Sequence, residues 1–223
     1  MNPKFFVEKL AAISLADVFN PYSDVCPIYD RFDAARARRR NLRSYLHAAA
    51  DLGVDTIWMG RDLGYRGGRR TGLALTDERH LAVLSLIYPG CTSIQATRGP
   101  AVAERTAKEI WSVLRETARP PLLWNVFPFH PHERSKPFSN RRFSARELAA
   151  VSALNAELMS WFGIRRIVAI GQDAASYASS FGVEVVTVRH PSYGGLAEFR
   201  HGIRQLYGLR QRDARTDAQV DLV

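Results

Sequence analysis

Four short runs of β-type residues are each followed at once by polar side chains that could do chemistry. These polar clusters contain Asp62, Asn125, Gln172 and His190. They supply a carboxylate, an imidazole and two carboxamides, and a carboxamide can both donate and accept hydrogen bonds. In open α/β sheets, ligands bind beyond the carboxyl ends of the strands. We therefore expect the four clusters to converge in one crevice.

The elements that must position these clusters are visible in the hydrophobic pattern. Strands are predicted at Thr56–Met59, Leu122–Val126, Ile167–Ile170 and Val185–Val188. Helices are predicted at Asp33–Asp51, Val102–Glu116, Ser144–Trp161, Ala174–Phe181 and Leu196–Tyr207. Ser144 and Glu147 have the spacing of a capping box at the start of the third helix. The alternation predicts the α/β class, a three-layer α/β/α fold with a central, mostly parallel four-stranded sheet.

Length and composition exclude several classes of protein. The 223 residues favour one domain over residues 1–223, with a helical N-terminal lead at 1–53 and a polar tail at 210–223. Hydrophobic residues make up 46% and charged residues 24%, which is typical of a packed protein and not of a disordered one. No apolar run approaches the roughly 20 residues that span a bilayer, so we expect no membrane segment.

Cysteine usage and the N-terminus indicate the compartment. Cys26 and Cys91 are the two cysteines, too few for a disulfide framework or an all-cysteine zinc site. The first residues lack the apolar core of a secretory signal. We therefore expect a protein of a reducing cytoplasm, associated with the nucleoid.

The charge balance favours a polyanionic partner. There are 31 Lys and Arg residues against 22 Asp and Glu, a formal net charge of +9. Lysine occurs only at positions 4, 9, 108 and 136, so arginine, which binds phosphate in bidentate geometry, carries most of this charge. Phosphate contacts release counterions and strengthen binding. A genome biased toward arginine codons would give the same balance.

The four clusters resemble the motifs of the uracil-DNA glycosylase superfamily, in a divergent bacterial form. Residues 60–76, GRDLGYRGGRRTGLALT, are similar to a first motif that reads GQDPYH, then seven residues, then LAF-S. The run LLWN, ending at Asn125, resembles the strand that presents a base-reading asparagine. Residues 167–172 resemble the strand and loop that pinch DNA phosphate, and HPSYGG, from His190, resembles HPSPL. The blocks occur in the family's order.

The resemblance implies two catalytic residues and a reaction. Asp62 would stabilise the cationic sugar and orient the attacking water, and His190 would donate a hydrogen bond to the departing uracil. No lysine lies in the four blocks, which disfavours a Schiff-base lyase. The implied activity is that of a monofunctional glycosylase, without a cofactor, that flips uracil out of DNA and leaves an abasic site for base-excision repair.

The resemblance also implies a base pocket. Asn125 would read uracil through O4 and N3–H. Gly64 stands where the family has a tyrosine that blocks the thymine methyl, and Leu75 replaces a phenylalanine that stacks on uracil. The predicted base-binding set is completed by Arg61, Tyr65 and His130. Unless Tyr65 fills the gap at Gly64, the pocket is enlarged, which predicts relaxed specificity that reaches deaminated purines or modified pyrimidines.

Contacts to DNA are implied around the same blocks. The predicted DNA-binding residues are Arg69, Arg70, Gly171, Gln172, Arg189, Ser192, Tyr193 and Leu196. Backbone N–H groups, hydroxyls and guanidinium groups would hold phosphates. Tyr193 or Leu196 would fill the stack that the flipped base vacates.

Other interpretations stay open at this point. Asp62, Asn125 and His190 are also typical of ordinary loop and strand-end positions. His130 and His132 could supply at most two metal ligands, so no metal is predicted. A non-catalytic binder of uracil-containing or abasic DNA is the first alternative, and a nucleoside or nucleotide hydrolase is the second. The expected partner is DNA containing uracil or related deaminated bases, bound by a monomer away from any membrane.

Overall fold

A parallel sheet forms the centre of the protein in a computed structural model that describes residues 2–192 and 194–210. The strands are β1 (Val18–Phe19), β2 (Thr56–Asp62), β3 (Leu122–Phe127), β4 (His130–Pro131), β5 (Arg166–Ile170) and β6 (Glu184–Val188). Four of them pair in parallel in the order β3-β2-β5-β6, and β1 pairs with β4 in a small antiparallel ribbon. The central strand is therefore β2, with β3 on one side and β5 on the other.

Helices flank this sheet. They are α1 (Pro3–Ala11), α2 (Ala34–Asp51), α3 (Gly68–Thr71), α4 (Leu84–Ile87), α5 (Arg105–Leu114), α6 (Ala145–Phe162), α7 (Gln172–Ala178) and α8 (Leu196–Leu206), with 3₁₀ turns at His80–Val83 and Ser179–Phe181. Helix α6 packs on β3, α7 on β5 and β6, and α8 on β6. The predicted α/β class with a four-stranded parallel sheet is confirmed.

The strands and their connections explain this class. Every residue of β3 is buried, as expected for a strand covered on both faces. Ser144 caps α6, since its Oγ accepts from the Glu147 N–H at 3.3 Å while a Glu147 carboxyl oxygen accepts from the Ser144 N–H at 2.6 Å. The predicted capping box is thus confirmed. Helix α1 lies in the predicted helical lead, although the sequence pattern gives no bounds for it. It buries Phe6 against Trp124 and Trp161, with ring centroids 6.0 and 6.4 Å apart.

Strand β2 is longer than the sequence pattern predicts. Its ladder with β3 continues through the pairs Gly60–Asn125 and Asp62–Phe127. Asp62 is therefore the last residue of the central strand and not a loop residue beyond it. This placement fixes the Asp62 backbone by hydrogen bonds within the sheet.

The N-terminal lead differs from a simple basic surface. Helix α2 carries five arginines, which the sequence alone suggests form a solvated face or touch the DNA backbone. Arg38, however, is fully buried and forms an ion pair with Asp30, which is also buried. Its Nε donates to the Arg70 carbonyl at 3.0 Å. Arg38 thus holds the first motif's loop from inside the protein.

Two sequence-based expectations fall outside what the structure tests. The assignment of residues 1–223 to one domain stays a prediction, and the tail beyond Arg210 lies outside the described residues. Within the described ranges, every helix is too short or too polar to cross a membrane.

Candidate active site

The carboxyl ends of the four parallel strands surround a cleft of about 660 Å³. This volume is in the range of small-molecule sites. The predicted site residues that line it are Arg61, Asp62, Gly64, Leu75, Asn125, Gly171, Gln172, Arg189, His190 and Ser192. The structure therefore brings together residues from all four polar clusters, as the strand pattern predicts.

Asp62 lies at the cleft with most of its side chain buried. Its Oδ2 accepts from the Arg61 Nε at 2.5 Å, and Arg61 Nη1 reaches Asp173 Oδ2 at 2.9 Å. Burial raises the pKa of the Asp62 carboxyl above its ordinary value, although the neighbouring Arg61 guanidinium acts in the opposite direction. The carboxylate is held in one orientation and is poorly solvated, so it can interact strongly with a nearby positive charge.

His190 faces the same cleft in its neutral form. Burial lowers the pKa of the ring, and the positive charges of Arg61 and Arg189 lower it further. Nδ1 accepts a hydrogen bond from the Ser192 backbone N–H at 3.1 Å. Because Nδ1 is an acceptor, the proton of the neutral ring is on Nε2. The imidazole can therefore donate from Nε2 without carrying a charge.

Close packing against two glycines fixes His190 and Asn125. Gly171 has a φ of 87°, and a Cβ atom there would lie 3.0 Å from the Cβ of His190. A Cβ atom on Gly60 would collide with Asn125 Oδ1 and lie 3.0 Å from a Leu75 methyl. Larger residues at either glycine would displace a cleft side chain.

Asn125 presents an unused hydrogen-bond acceptor at the cleft. The residue is 1% exposed, and its Oδ1 is buried without a hydrogen-bond partner. Leaving a buried polar group unpaired costs about 1–3 kcal/mol. Unpaired buried groups in a cleft are typical of atoms that meet a ligand. The amide is thus suited to bind a planar group with adjacent donor and acceptor atoms.

Three predicted site residues lie inside the protein and not at the cleft. Arg69 is 3% exposed, stacks 3.9 Å above the Phe19 ring and donates to the Tyr29 hydroxyl at 2.8 Å. Arg70 is 8% exposed and pairs with Glu78 at 2.9 Å. These guanidinium groups already have partners in the interior, so the expectation that Arg69 and Arg70 contact phosphate does not fit their positions.

His130 is also interior, which does not fit its predicted contact with the base. It is fully buried, its Nδ1 lies 3.0 Å from Arg69 Nη1, and its Nε2 lies 2.8 Å from the Ser139 carbonyl. Burial and the Arg69 charge lower the pKa of the ring to about 3. Within the described residues, no group of three or more histidine, cysteine, aspartate or glutamate side chains is arranged to hold a metal ion.

Two further predicted residues, Tyr65 and Leu196, do not line the main cleft. Tyr65 borders an adjoining cleft of about 460 Å³ and packs on Phe138, with centroids 6.4 Å apart. Leu196 is half-buried at the start of α8 and does not line the main cleft. Tyr193 lies outside the described residues, so its predicted role as a wedge stays a prediction.

Sequence reasoning missed several cleft residues. They are Glu104, Thr106, Asn140, Arg141, Arg142 and Asp173. Arg142 pairs with Asp173 at 2.9 Å with its side chain 72% exposed, whereas Arg141 pairs with Glu147 at 2.6 Å. The paired arginines after Asn140 were a signal, since adjacent basic residues between β4 and α6 could reach a polyanion. Glu104 had none, because it lies far in sequence from every motif.

A comparison with solved structures finds a protein of similar fold. No protein-family profile matches the chain, and no curated protein sequence matches it. Among solved structures, wild-type SMUG2 of Pedobacter heparinus is similar, with a TM-score of 0.61 and 14% sequence identity over 97% of this chain and 98% of that chain. SMUG2 is a member of the uracil-DNA glycosylase family. The chain therefore has an α/β fold like that of a uracil-DNA glycosylase.

Proposed function

We propose that the protein is a monofunctional uracil-DNA glycosylase that hydrolyses the N-glycosidic bond of uracil flipped out of DNA. The observation that carries this proposal is the meeting of three residues at one cleft: Asp62 at the end of β2, Asn125 within β3, and His190 just after β6. The similarity of the fold to SMUG2 of Pedobacter heparinus adds support. A base stacked within a duplex is inaccessible to the cleft, so the nucleotide must be flipped out of the stack to reach it.

Asn125 would recognise the base. Its unpaired Oδ1 would accept from uracil N3–H, and its Nδ2 would donate to O4. Cytosine has an amino donor and an unprotonated ring nitrogen at these positions, so it offers the reverse pattern. Leu75, which also lines the cleft, would cover one face of the base.

Asp62 and His190 would act on opposite charges in the transition state. Breaking the bond places positive charge on the sugar and negative charge on the departing uracil. The ionised Asp62 carboxylate would stabilise the sugar and orient the water that attacks it. The neutral imidazole would donate from Nε2 to the uracil oxygen, where negative charge develops.

The backbone of DNA would lie along the basic rim of this cleft. Arg189 and Arg142 have side chains that are 54% and 72% exposed, and Ser192, which also lines the cleft, is half-buried. With a chain charge of +9, we expect binding to weaken steeply with added salt. None of the described residues that line the cleft is a lysine, so the site offers no amine for a Schiff base.

Base release from an oligonucleotide that contains a single uracil tests the proposal. The labelled strand is incubated with the protein and then treated with alkali, which cleaves at an abasic site. Cleavage only after alkali is the expected result. Tight binding without release would support the alternative, a non-catalytic binder, and cleavage without alkali would indicate a lyase. Release from free deoxyuridine but not from DNA would indicate a nucleoside hydrolase.

The pH dependence of base release should follow the ionisation of the Asp62 carboxyl. Its carboxyl must be ionised to stabilise the sugar, so activity should be lost as the pH falls through its raised pKa. Since Arg61 lowers that pKa by its hydrogen bond and charge, Arg61→Met should move the acid limb of the profile to higher pH. Single-turnover rates between pH 4 and 8 measure the shift. An unchanged acid limb would show that Asp62 does not set it.

A further inference from the structure

Glu104 occupies the space beside two glycines of the first motif. Its carboxyl lies so close to the loop that a Cβ atom on Gly64 would collide with Oε1, and a Cβ atom on Gly67 would collide with Oε2. The gap left by the absent side chain at position 64 is therefore filled, but by Glu104 and not by Tyr65. Glu104 lines the main cleft together with Asp62 and Asn125.

The Glu104 carboxyl has unused hydrogen-bonding capacity. Its backbone N–H donates to Asp77 Oδ2 at 2.7 Å, whereas its carboxyl oxygens accept no hydrogen bond from a described residue. Burial, with the nearby Asp77 charge, raises the pKa of the carboxyl to about 7. Near neutral pH the group is thus partly protonated, and it can donate as well as accept.

Asp77 and Arg66 are the charged groups that act on this carboxyl, and further charged groups lie on the elements around the two clefts. The loop after β2 contributes Arg66, residues 77–80 contribute Asp77 and His80, α5 itself contributes Arg105, and the segment before α6 contributes Arg141 and Arg142 at the cleft. Asp77 is already paired with His80 at 2.7 Å. Arg66 lowers the pKa of Glu104, but less than burial raises it.

We propose that Glu104 is a specificity-determining residue of the cleft, whose carboxyl binds an extruded base on an edge that Asn125 does not read and so admits deaminated purines. This inference rests on the proposed function. Hypoxanthine keeps the adjacent oxygen and N–H that suit the Asn125 amide. Its second ring adds the N7 acceptor, next to O6, and a protonated carboxyl can donate to that edge. Uracil has only C–H groups there, and thymine has a methyl group.

The protonation state of Glu104 should affect the release of hypoxanthine more than the release of uracil. A protonated Glu104 donates to hypoxanthine, whereas an ionised Glu104 repels the lone pairs of N7 and O6. Uracil makes no such contact, so its recognition depends less on this group. Thymine would bury its methyl against a polar carboxyl and leave that carboxyl without a partner, so the site disfavours it. The ratio of hypoxanthine to uracil release should therefore fall as the pH rises through 7.

Single-turnover release from matched uracil, hypoxanthine and thymine oligonucleotides between pH 6 and 8.5 tests this. Wild type should release hypoxanthine, and the ratio to uracil should fall with pH. Glu104→Gln keeps a donor but cannot ionise, so the ratio should no longer fall as the pH rises through 7. Glu104→Ala removes the hydrogen bond, and the ratio should fall about tenfold at pH 6. Glu8→Gln, an exposed change on α1, is the control and should behave as wild type.

The outcomes separate the two proposals. Uracil release without hypoxanthine release, or a ratio that Glu104→Gln and Glu104→Ala leave unchanged, overturns the role of Glu104 and leaves the glycosylase proposal standing. Absence of release from every substrate overturns both. Glutamine has nearly the same shape as glutamate. The Glu104→Gln variant therefore tests the role of Glu104 even where the alanine variant fails to fold. Ionisation of the base itself is common to all variants and cancels in the comparison.

Discussion

Asp62→Asn is expected to slow base release by about 10³-fold while affinity for uracil-containing DNA stays within a few fold. The substitution keeps the size of the side chain and its place at the end of β2, but it removes the negative charge that would face the cationic sugar. Uncharged asparagine can still accept a hydrogen bond from Arg61. Single-turnover release and equilibrium binding, measured on the same oligonucleotide, separate the chemical step from binding.

Asp55→Asn is a matched control for this experiment. Asp55 precedes the same strand at its opposite end, where it pairs with the exposed Arg165. The change removes one carboxylate without touching the cleft, so the release rate should stay that of wild type. If Asp62→Asn retained more than a tenth of the wild-type rate, Asp62 could not be the group that stabilises the sugar.

Arg38→Met is expected to lower the free energy of unfolding by about 3–5 kcal/mol. The substitution leaves the Asp30 carboxylate buried without its counter-charge, and it removes hydrogen bonds to the Arg70 and Asp24 carbonyls. For a domain of this size, such a loss is a large part of the total stability. Urea unfolding followed by circular dichroism measures the change.

The neighbouring Arg36 provides the control. It lies on the same helix with its side chain exposed, so Arg36→Met should change stability by no more than about 0.5 kcal/mol. Replacing both members of the buried pair, with Arg38→Met and Asp30→Asn together, should recover part of the loss because no unpaired charge remains. Equal effects of Arg38→Met and Arg36→Met would show that the buried pair contributes little.

The fold and the convergence of the cleft were predictable because both follow from the backbone. Runs such as Ile167–Ile170 are continuously apolar, which is typical of strands covered on both faces. Parallel strands bring their carboxyl ends to the same edge, so the polar clusters near these ends meet without any knowledge of side-chain packing. Asp62, Asn125 and His190 do line one cleft, whereas their roles are implied by the resemblance alone and stay a proposal.

The burial and the partners of individual arginine and glutamate side chains could not be predicted, because they depend on residues distant in sequence. Arg69 reads as a surface cation, but Phe19 and Tyr29 enclose it through contacts that no local pattern reveals. The sequence pattern predicts only that Glu104 is an ordinary residue near the start of the helix Val102–Glu116, whereas in the structure it precedes α5. Its place beside Gly64 depends on how the loop after β2 meets the start of α5, which is a property of the tertiary structure.

Strand β6 lies at the edge of the sheet, so the position of His190, which follows it, depends on how stably this edge stays paired. Among the described strands β6 pairs with β5 alone, and most of its residues are exposed or half-buried. Segments of this kind open at a smaller free-energy cost than the core does. Because His190 follows β6 whereas Asp62 ends the central strand, transient detachment of the edge would remove the imidazole and leave the carboxylate in place. On warming, we therefore expect the proposed activity to be lost before the protein melts, and cooling to restore the imidazole without refolding the core.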